Sequence, residues 1–145
     1  MKIRPHTKRD TARLVDIWLA AVRATHHFLT EEDIQFFLPQ LRDQYIPALE
    51  VYVAEGEDGR ATGFSGLDGV NLEMLFIDPA HHGRGIGKQL IDHAVALKGR
   101  LKVDVNEQNP GALAFYLKCG FTQVGRSELD GSGKPFPLLH LAQLG

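Results

Sequence analysis

The stretch His81-His82-Gly83-Arg84-Gly85-Ile86-Gly87-Lys88 constrains the fold more than any other part of the chain, because of what flanks it. Before it runs an apolar segment, Leu72 to Asp78, closed by Pro79, which has no N–H to extend a ladder. After it Leu90, Ala94 and Leu97 recur at three- and four-residue spacing, the mark of a helix. Strand, glycine loop and helix in that order aim several backbone N–H groups at one spot beside a helix N-terminus. Arg84 and Lys88 add full positive charges there. The guest such a spot takes is a phosphate or pyrophosphate.

Spacing decides among phosphate ligands. The ATP/GTP loop needs Gly, four residues, Gly-Lys and then Ser or Thr. With Gly87-Lys88 at its end, the first glycine would fall on His82, and Gln89 stands where the magnesium-binding hydroxyl belongs. The dinucleotide fingerprint needs a third glycine at Lys88 or Leu90, where there is none. The stretch instead resembles the acyl-CoA pyrophosphate loop of the GNAT superfamily of N-acetyltransferases, Arg/Gln-x-x-Gly-x-Gly/Ala. Gly85 and Gly87 fill the glycine positions, and His82 replaces the usual Arg or Gln.

A second pattern follows about twenty residues later. Asn109-Pro110-Gly111-Ala112-Leu113-Ala114-Phe115-Tyr116-Leu117-Lys118-Cys119-Gly120-Phe121 resembles the other GNAT signature, Asn-x-x-Ala-x-x-x-Tyr-x-x-x-Gly-Phe. Its physical reading stands apart from the family. Asn109 caps a helix, Pro110 suits its first turn, and Gly120 suits a left-handed end. Ala112, Phe115 and Tyr116 then share one face.

The rest of the 145 residues read as one domain, 1–145, long enough to bury roughly two-thirds of its unfolded surface. A formal net charge of −2 leaves no basic footprint for nucleic acid. No apolar run reaches the ~18–20 residues of a membrane span, and Met1 to Pro5 reads as the start of a strand, not a secretion signal. The single Cys119 excludes an intrachain disulfide and fits a reducing cytoplasm; beside Gly120 it reads as a packing residue. Seven histidines include two adjacent pairs, His26-His27 and His81-His82, without a ligand spacing set, so no metal is expected.

Turn and cap signals divide the chain further. Ile3-Arg4-Pro5 is a short strand, Thr7 caps a helix running to about Thr25, and Thr30 with Glu31, Glu32 and Asp33 starts another. Leu49 to Ala54 and Arg60 to Leu67 form a hairpin around Glu57-Asp58-Gly59. A strand at Leu101 to Val105 separates the two signature helices. Phe121 to Leu129 and Phe136 to Leu144 then pair across Asp130-Gly131-Ser132-Gly133. The class is α/β, a mixed (α+β) sheet of about seven strands with four helices, the order the GNAT resemblance implies.

Closer similarity covers nearly the whole chain. Residues 24–29, 75–79, 105–109, 125–128 and 133–135 look like those of the small bacterial YjaB-type acetyltransferases. The resemblance implies acetyl-CoA as co-substrate and an amine acceptor. It implies that Leu75, Phe76 and Ile77 offer strand backbone to the pantetheine arm and that the loop His82 to Lys88 holds the pyrophosphate. Asn109 would hold the pantetheine or pyrophosphate end, and Tyr116 would act as general acid toward the departing thiolate.

An amine of pKa ≈ 10.4 is neutral in only about one molecule in 2,500 at pH 7, roughly 4.6 kcal/mol uphill, so the site must remove a proton. Three candidates stand out: His26 where the first two helices meet, Asp104 on the fifth strand, and Glu73 on the fourth. Ordered water is a fourth route. Phe36 and Phe37 belong either to the acceptor pocket or to the core. A compact single domain favours a small-molecule amine as acceptor. The alternatives are a protein lysine or N-terminus, which needs an open groove, and a non-catalytic acyl-CoA sensor. The chain is expected to be a monomer or a homodimer, with the apolar C-terminal strand available for pairing.

Overall fold

Alternating apolar residues and the turn glycines place seven strands in one sheet, ordered β1-β2-β3-β4-β5-β7-β6 among the described residues. The computed structural model describes residues 2–144. The strands are Lys2–Pro5 (β1), Glu50–Glu55 (β2), Ala61–Asp68 (β3), Asn71–Ile77 (β4), Lys102–Asn106 (β5), Phe121–Ser127 (β6) and Leu138–Gln143 (β7). All neighbours are antiparallel except β4 and β5. That parallel pair holds only at Asn71↔Lys102 and Leu72↔Val103. Beyond Leu72 the two strands part, and β5 continues against β7 alone.

Helices cover both faces. Thr11–Thr25 (α1) follows a 3-10 turn at Lys8–Asp10, where the Asp10 carboxylate accepts from the Thr7 N–H at 2.7 Å. Glu31–Gln40 (α2) starts at a capping box in which the Thr30 and Asp33 side chains each accept from the other's backbone N–H. Pro39 cannot donate to the helical ladder. The run continues past it as a π turn, Leu41–Tyr45, and then the short Ile46–Ala48 (α3), so α2 to α3 is one interrupted helix. Ile86–Lys98 (α4) and Pro110–Lys118 (α5) are the two signature helices, giving the four helical runs expected among the described residues.

Side-chain parity sorts the core into two layers. Val51 and Val53 pack with Leu14, Ile17, Trp18 and Val22 of α1, while the intervening Tyr52 packs on the side of α4 and α5. On β4 the parity switches: Leu72 joins the α4/α5 layer and Met74 the α1/α2 layer. The cause is a bulge. Gly66 pairs with Met74 and Leu67 with Leu72, which leaves Glu73 as the extra residue. The bulge lies where β4 and β5 begin to part, so the site and the kink have one origin.

Two expectations need correction. Leu97 is 50% exposed; the buried stripe of α4 is Ile86, Leu90, Ile91 and Ala94, and the helix ends at Lys98 before its periodicity returns to the core. The C-terminal strand β7 lies inside the sheet between β5 and β6, so it offers no free edge to a second copy; β1 and β6 are the edges.

Candidate active site

The glycine loop is built as its composition requires. Gly83 and Gly85 adopt φ of 79° and 75°, and Gly85 is the N-cap of α4 in the left-handed region. A Cβ on Gly87 would stand 3.0 Å from Phe115 Cζ, so the absence of a side chain lets α4 begin hard against α5. The N–H groups of Ile86, Gly87 and Lys88 open the helix with no preceding turn to receive them, leaving a set of oriented donors. They border a cavity of about 480 Å³ lined also by Leu75, Phe76, Ile77, His82, Asn109 and Tyr116. Lys88 pairs with Asp92 at 2.8 Å, but both side chains are mostly exposed and free to leave one another. Arg84 is exposed and bonds the His81 ring at 3.0 Å.

The parted strands supply the next element. Along Leu75 to Ile77 the β5-facing edge of β4 has no strand partner among the described residues, which leaves backbone groups for an extended ligand arm. Asn109 caps α5: its Oδ1 accepts from the Ala112 N–H at 3.2 Å, so its amide NH₂ is the group left for the cavity. Tyr116 is buried between Phe115 and Phe121, at ring distances of 5.2 and 5.4 Å. Burial first, then the neighbouring Cys119, holds its phenol well above the ordinary tyrosine range. Burial also pushes the Cys119 thiol up, which suits its reading as a packing residue.

A second cavity of about 350 Å³ lies on the α1/α2 side. Trp18, Phe28, Phe37, Tyr45, Phe76 and Phe136 give it aromatic walls; Glu73, Asp104 and Asp130 give it carboxylates. Phe136 joins the wall by packing 5.6 Å from Phe28 and 6.5 Å from Phe37, which draws the β6–β7 connection across the cavity. Phe36 points elsewhere: Lys134 Nζ sits 4.2 Å over its ring. Both cavities share His26 and Phe76 among their linings, and these two rings are 6.4 Å apart.

The hydrogen bonds of His26 define its chemistry. The Thr25 hydroxyl donates its single proton to the Ala21 carbonyl at 2.7 Å, so the 2.8 Å contact with His26 Nδ1 must run from the ring N–H to Thr25 Oγ1. Nε2 therefore carries the lone pair. Burial, with a smaller contribution from His27, lowers the ring to about 4, so it stays neutral at pH 7. Glu73 is raised, by burial first and then by Asp104 and Asp68. Asp104 is half exposed and its Oδ1 accepts from His140 Nδ1 at 2.6 Å.

The structure thus brings His26, Glu73 and Asp104 to one cavity and Tyr116, Asn109 and the glycine loop to the other. Sequence reasoning missed Tyr45 and Leu41, which the π turn after Pro39 delivers to the acceptor side, and Phe28, Phe136 and Asp130, which approach from connecting segments. It also missed His140, whose alternation with buried Leu139 and Leu141 marks it as a polar residue on the opposite sheet face.

The acetyltransferase (GNAT) domain model matches residues 47–123, just over half of the chain. Over 145 residues the chain is 41% identical to the peptidyl-lysine N-acetyltransferase YjaB of Escherichia coli (strain K12), covering 100% of this chain and 98% of that protein. It is 30% identical to the peptidyl-lysine N-acetyltransferase YiaC of the same strain, covering 92% and 91%. The solution structure of apo-form YjaB from Escherichia coli superposes with a TM-score of 0.92 at 41% identity, over 99% of this chain and 97% of that one. The PaiA N-acetyltransferase of Thermoplasma acidophilum, solved in complex with coenzyme A, shares the fold at 20% identity, with a TM-score of 0.82 over 99% and 98% of the two chains. The chain belongs to the GNAT family of acetyltransferases.

Proposed function

We infer that the protein transfers the acetyl group of acetyl-CoA to the side-chain amine of a protein lysine. The observation that carries this reading is the meeting of two cavities at His26 and Phe76, one floored by phosphate-type donors and the other aromatic and acidic. An aromatic passage ending in carboxylates suits a cation on an apolar stem, which describes lysine. The expectation of a small-molecule amine gives way here, because relatives matched over the full chain are peptidyl-lysine acetyltransferases.

The chain's groups divide the work. Ile86, Gly87 and Lys88 donate backbone N–H groups to the pyrophosphate, with Lys88 lining the same cavity and the Arg84 guanidinium held on the ring of His81, another lining residue. Leu75 to Ile77 pair with the pantetheine arm and present an N–H to the thioester oxygen, where negative charge develops. Asn109 donates its amide to the same arm. His26 Nε2 accepts a hydrogen bond from the acceptor amine and orients its lone pair, and Glu73 and Asp104 attract the ammonium. Tyr116 donates to the departing sulfur. Full transfer from a phenol to a thiolate is uphill by roughly 2 kcal/mol in reference conditions. Burial of Tyr116 widens that gap, so its role is a strong hydrogen bond, with solvent completing the protonation.

Thiol release from acetyl-CoA, measured with lysine peptides, polyamines, amino acids and aminoglycosides, tests the assignment. Turnover on lysine peptides above every small amine is expected. Turnover confined to a small amine would overturn it.

A further inference from the structure

Beside the acceptor cavity, on the face of β5, β7 and β6 turned away from the α4/α5 layer, three polar side chains form a chain of short hydrogen bonds. Asp104 Oδ1 lies 2.6 Å from His140 Nδ1, and His140 Nε2 lies 2.6 Å from Ser127 Oγ. The register makes this alignment possible: Asp104 is the direct cross-strand partner of His140, and Gly125, opposite His140 on β6, has no side chain to intrude. Each member belongs to a different strand, so the constellation exists only in the folded sheet. Only Asp104 reaches the cavity, where it meets Glu73.

The direction of the first of these bonds follows from valence. A carboxylate only accepts, so His140 Nδ1 carries a proton and donates a hydrogen bond to Asp104. Nε2 lies against the Ser127 hydroxyl, which can donate or accept, so this contact braces the ring from its far side. One Asp104 oxygen is occupied, and the carboxylate, half exposed and otherwise free to rotate, is held with its second oxygen available. Glu73 lines the same cavity and is raised by burial and by the Asp104 charge, whereas Asp104 is the carboxylate that a cross-strand hydrogen bond holds in place.

We propose that His140, braced by Ser127, is a positioning residue that fixes Asp104 as the acceptor of the lysine proton. The inference rests on the lysine reading above. In the step, the ammonium gives one proton to the free oxygen of Asp104, and the nitrogen lone pair forms the C–N bond as the C–S bond breaks. A second nitrogen proton balances the thiolate, which leaves as CoA thiol. Asp104 then returns its proton to water at its exposed side, so each turnover releases one proton net. His140 keeps its own protons throughout.

The test uses four substitutions in the full chain with lysine peptide and acetyl-CoA as substrates. The amide nitrogen of Asn overlays Nδ1 of a histidine, and that of Gln overlays Nε2. His140→Asn should therefore keep kcat within about threefold of wild type, whereas His140→Gln and His140→Phe should lower it about ten- to hundredfold. KM for acetyl-CoA should be unchanged in all three His140 variants, because His140 does not line the glycine-loop cavity. Ser127→Ala should lower kcat about two- to tenfold, as loss of an outer hydrogen bond does. Equal rates for the Asn and Gln variants, or a wild-type rate in His140→Phe, would overturn the positioning role. A wild type with no turnover on lysine peptides would overturn the lysine reading instead, and the variants need not be measured to see it.

Discussion

His26 provides a quantitative check on the site, because its neutrality follows from burial. Its ring is lowered to about 4, against a reference value of 6.5 in the unfolded chain. Between those values the unfolded state binds more protons than the folded one. Stability from this group is therefore fully present above about pH 6.5 and drains away as pH falls toward 4. At pH 7 the loss is only ~0.2 kcal/mol; at pH 5 it reaches about 2 kcal/mol. Urea unfolding of wild type and His26→Gln at both pH values isolates the term. His6, also lowered by burial, titrates in both proteins and cancels in the difference. Wild type should lose about 2 kcal/mol more than His26→Gln on going from pH 7 to pH 5. Parallel losses would refute the reasoning, and with it the assignment of His26 Nε2 as an unprotonated hydrogen-bond acceptor for the amine.

Other consequences are simpler to state. Tyr116→Phe should lower kcat tenfold or more while leaving the acetyl-CoA Kd, read by calorimetry, within about twofold, since only the hydroxyl is removed. Gly85→Ala forces a side chain into φ 75° and should cost about 1–2 kcal/mol in thermal unfolding and weaken acetyl-CoA binding in the same variant. Arg4 bonds both Asp10 and Glu55 in a mostly buried cluster, so Arg4→Met should destabilise by about 2–3 kcal/mol at pH 7. Arg4 holds Asp10 well below the usual carboxylate range. The deficit of Arg4→Met should therefore shrink as pH falls below about 4, where the unfolded chain takes up protons first.

The two signature helices and their loop were legible because each carries local punctuation: Asn109 and Pro110 at one start, Gly85 and Gly87 at the other, and an apolar strand before the loop. Local grammar of this kind needs no knowledge of distant contacts. The acceptor side was less legible for the opposite reason. Glu73 owes its place to a bulge that depends on the β3–β4 register, and Tyr45 owes its place to a π turn after Pro39; no residue pattern announces either shift. Leu97 misled because helical periodicity says which residues share a face, not where the facing sheet ends. His140 and Ser127 were invisible beside Asp104, since their link crosses three strands and 36 residues separate the histidine from the aspartate.

The central claim is that a lysine side chain in the aromatic cavity meets the acetyl group where His26 and Phe76 join the two clefts. A lysine peptide coupled through an acetyl bridge to the sulfur of CoA spans both cavities at once. Calorimetry should give it a Kd about a hundredfold below that of CoA alone, with a polyamine–CoA conjugate well short of that gain. A peptide conjugate that binds no better than CoA would contradict the account.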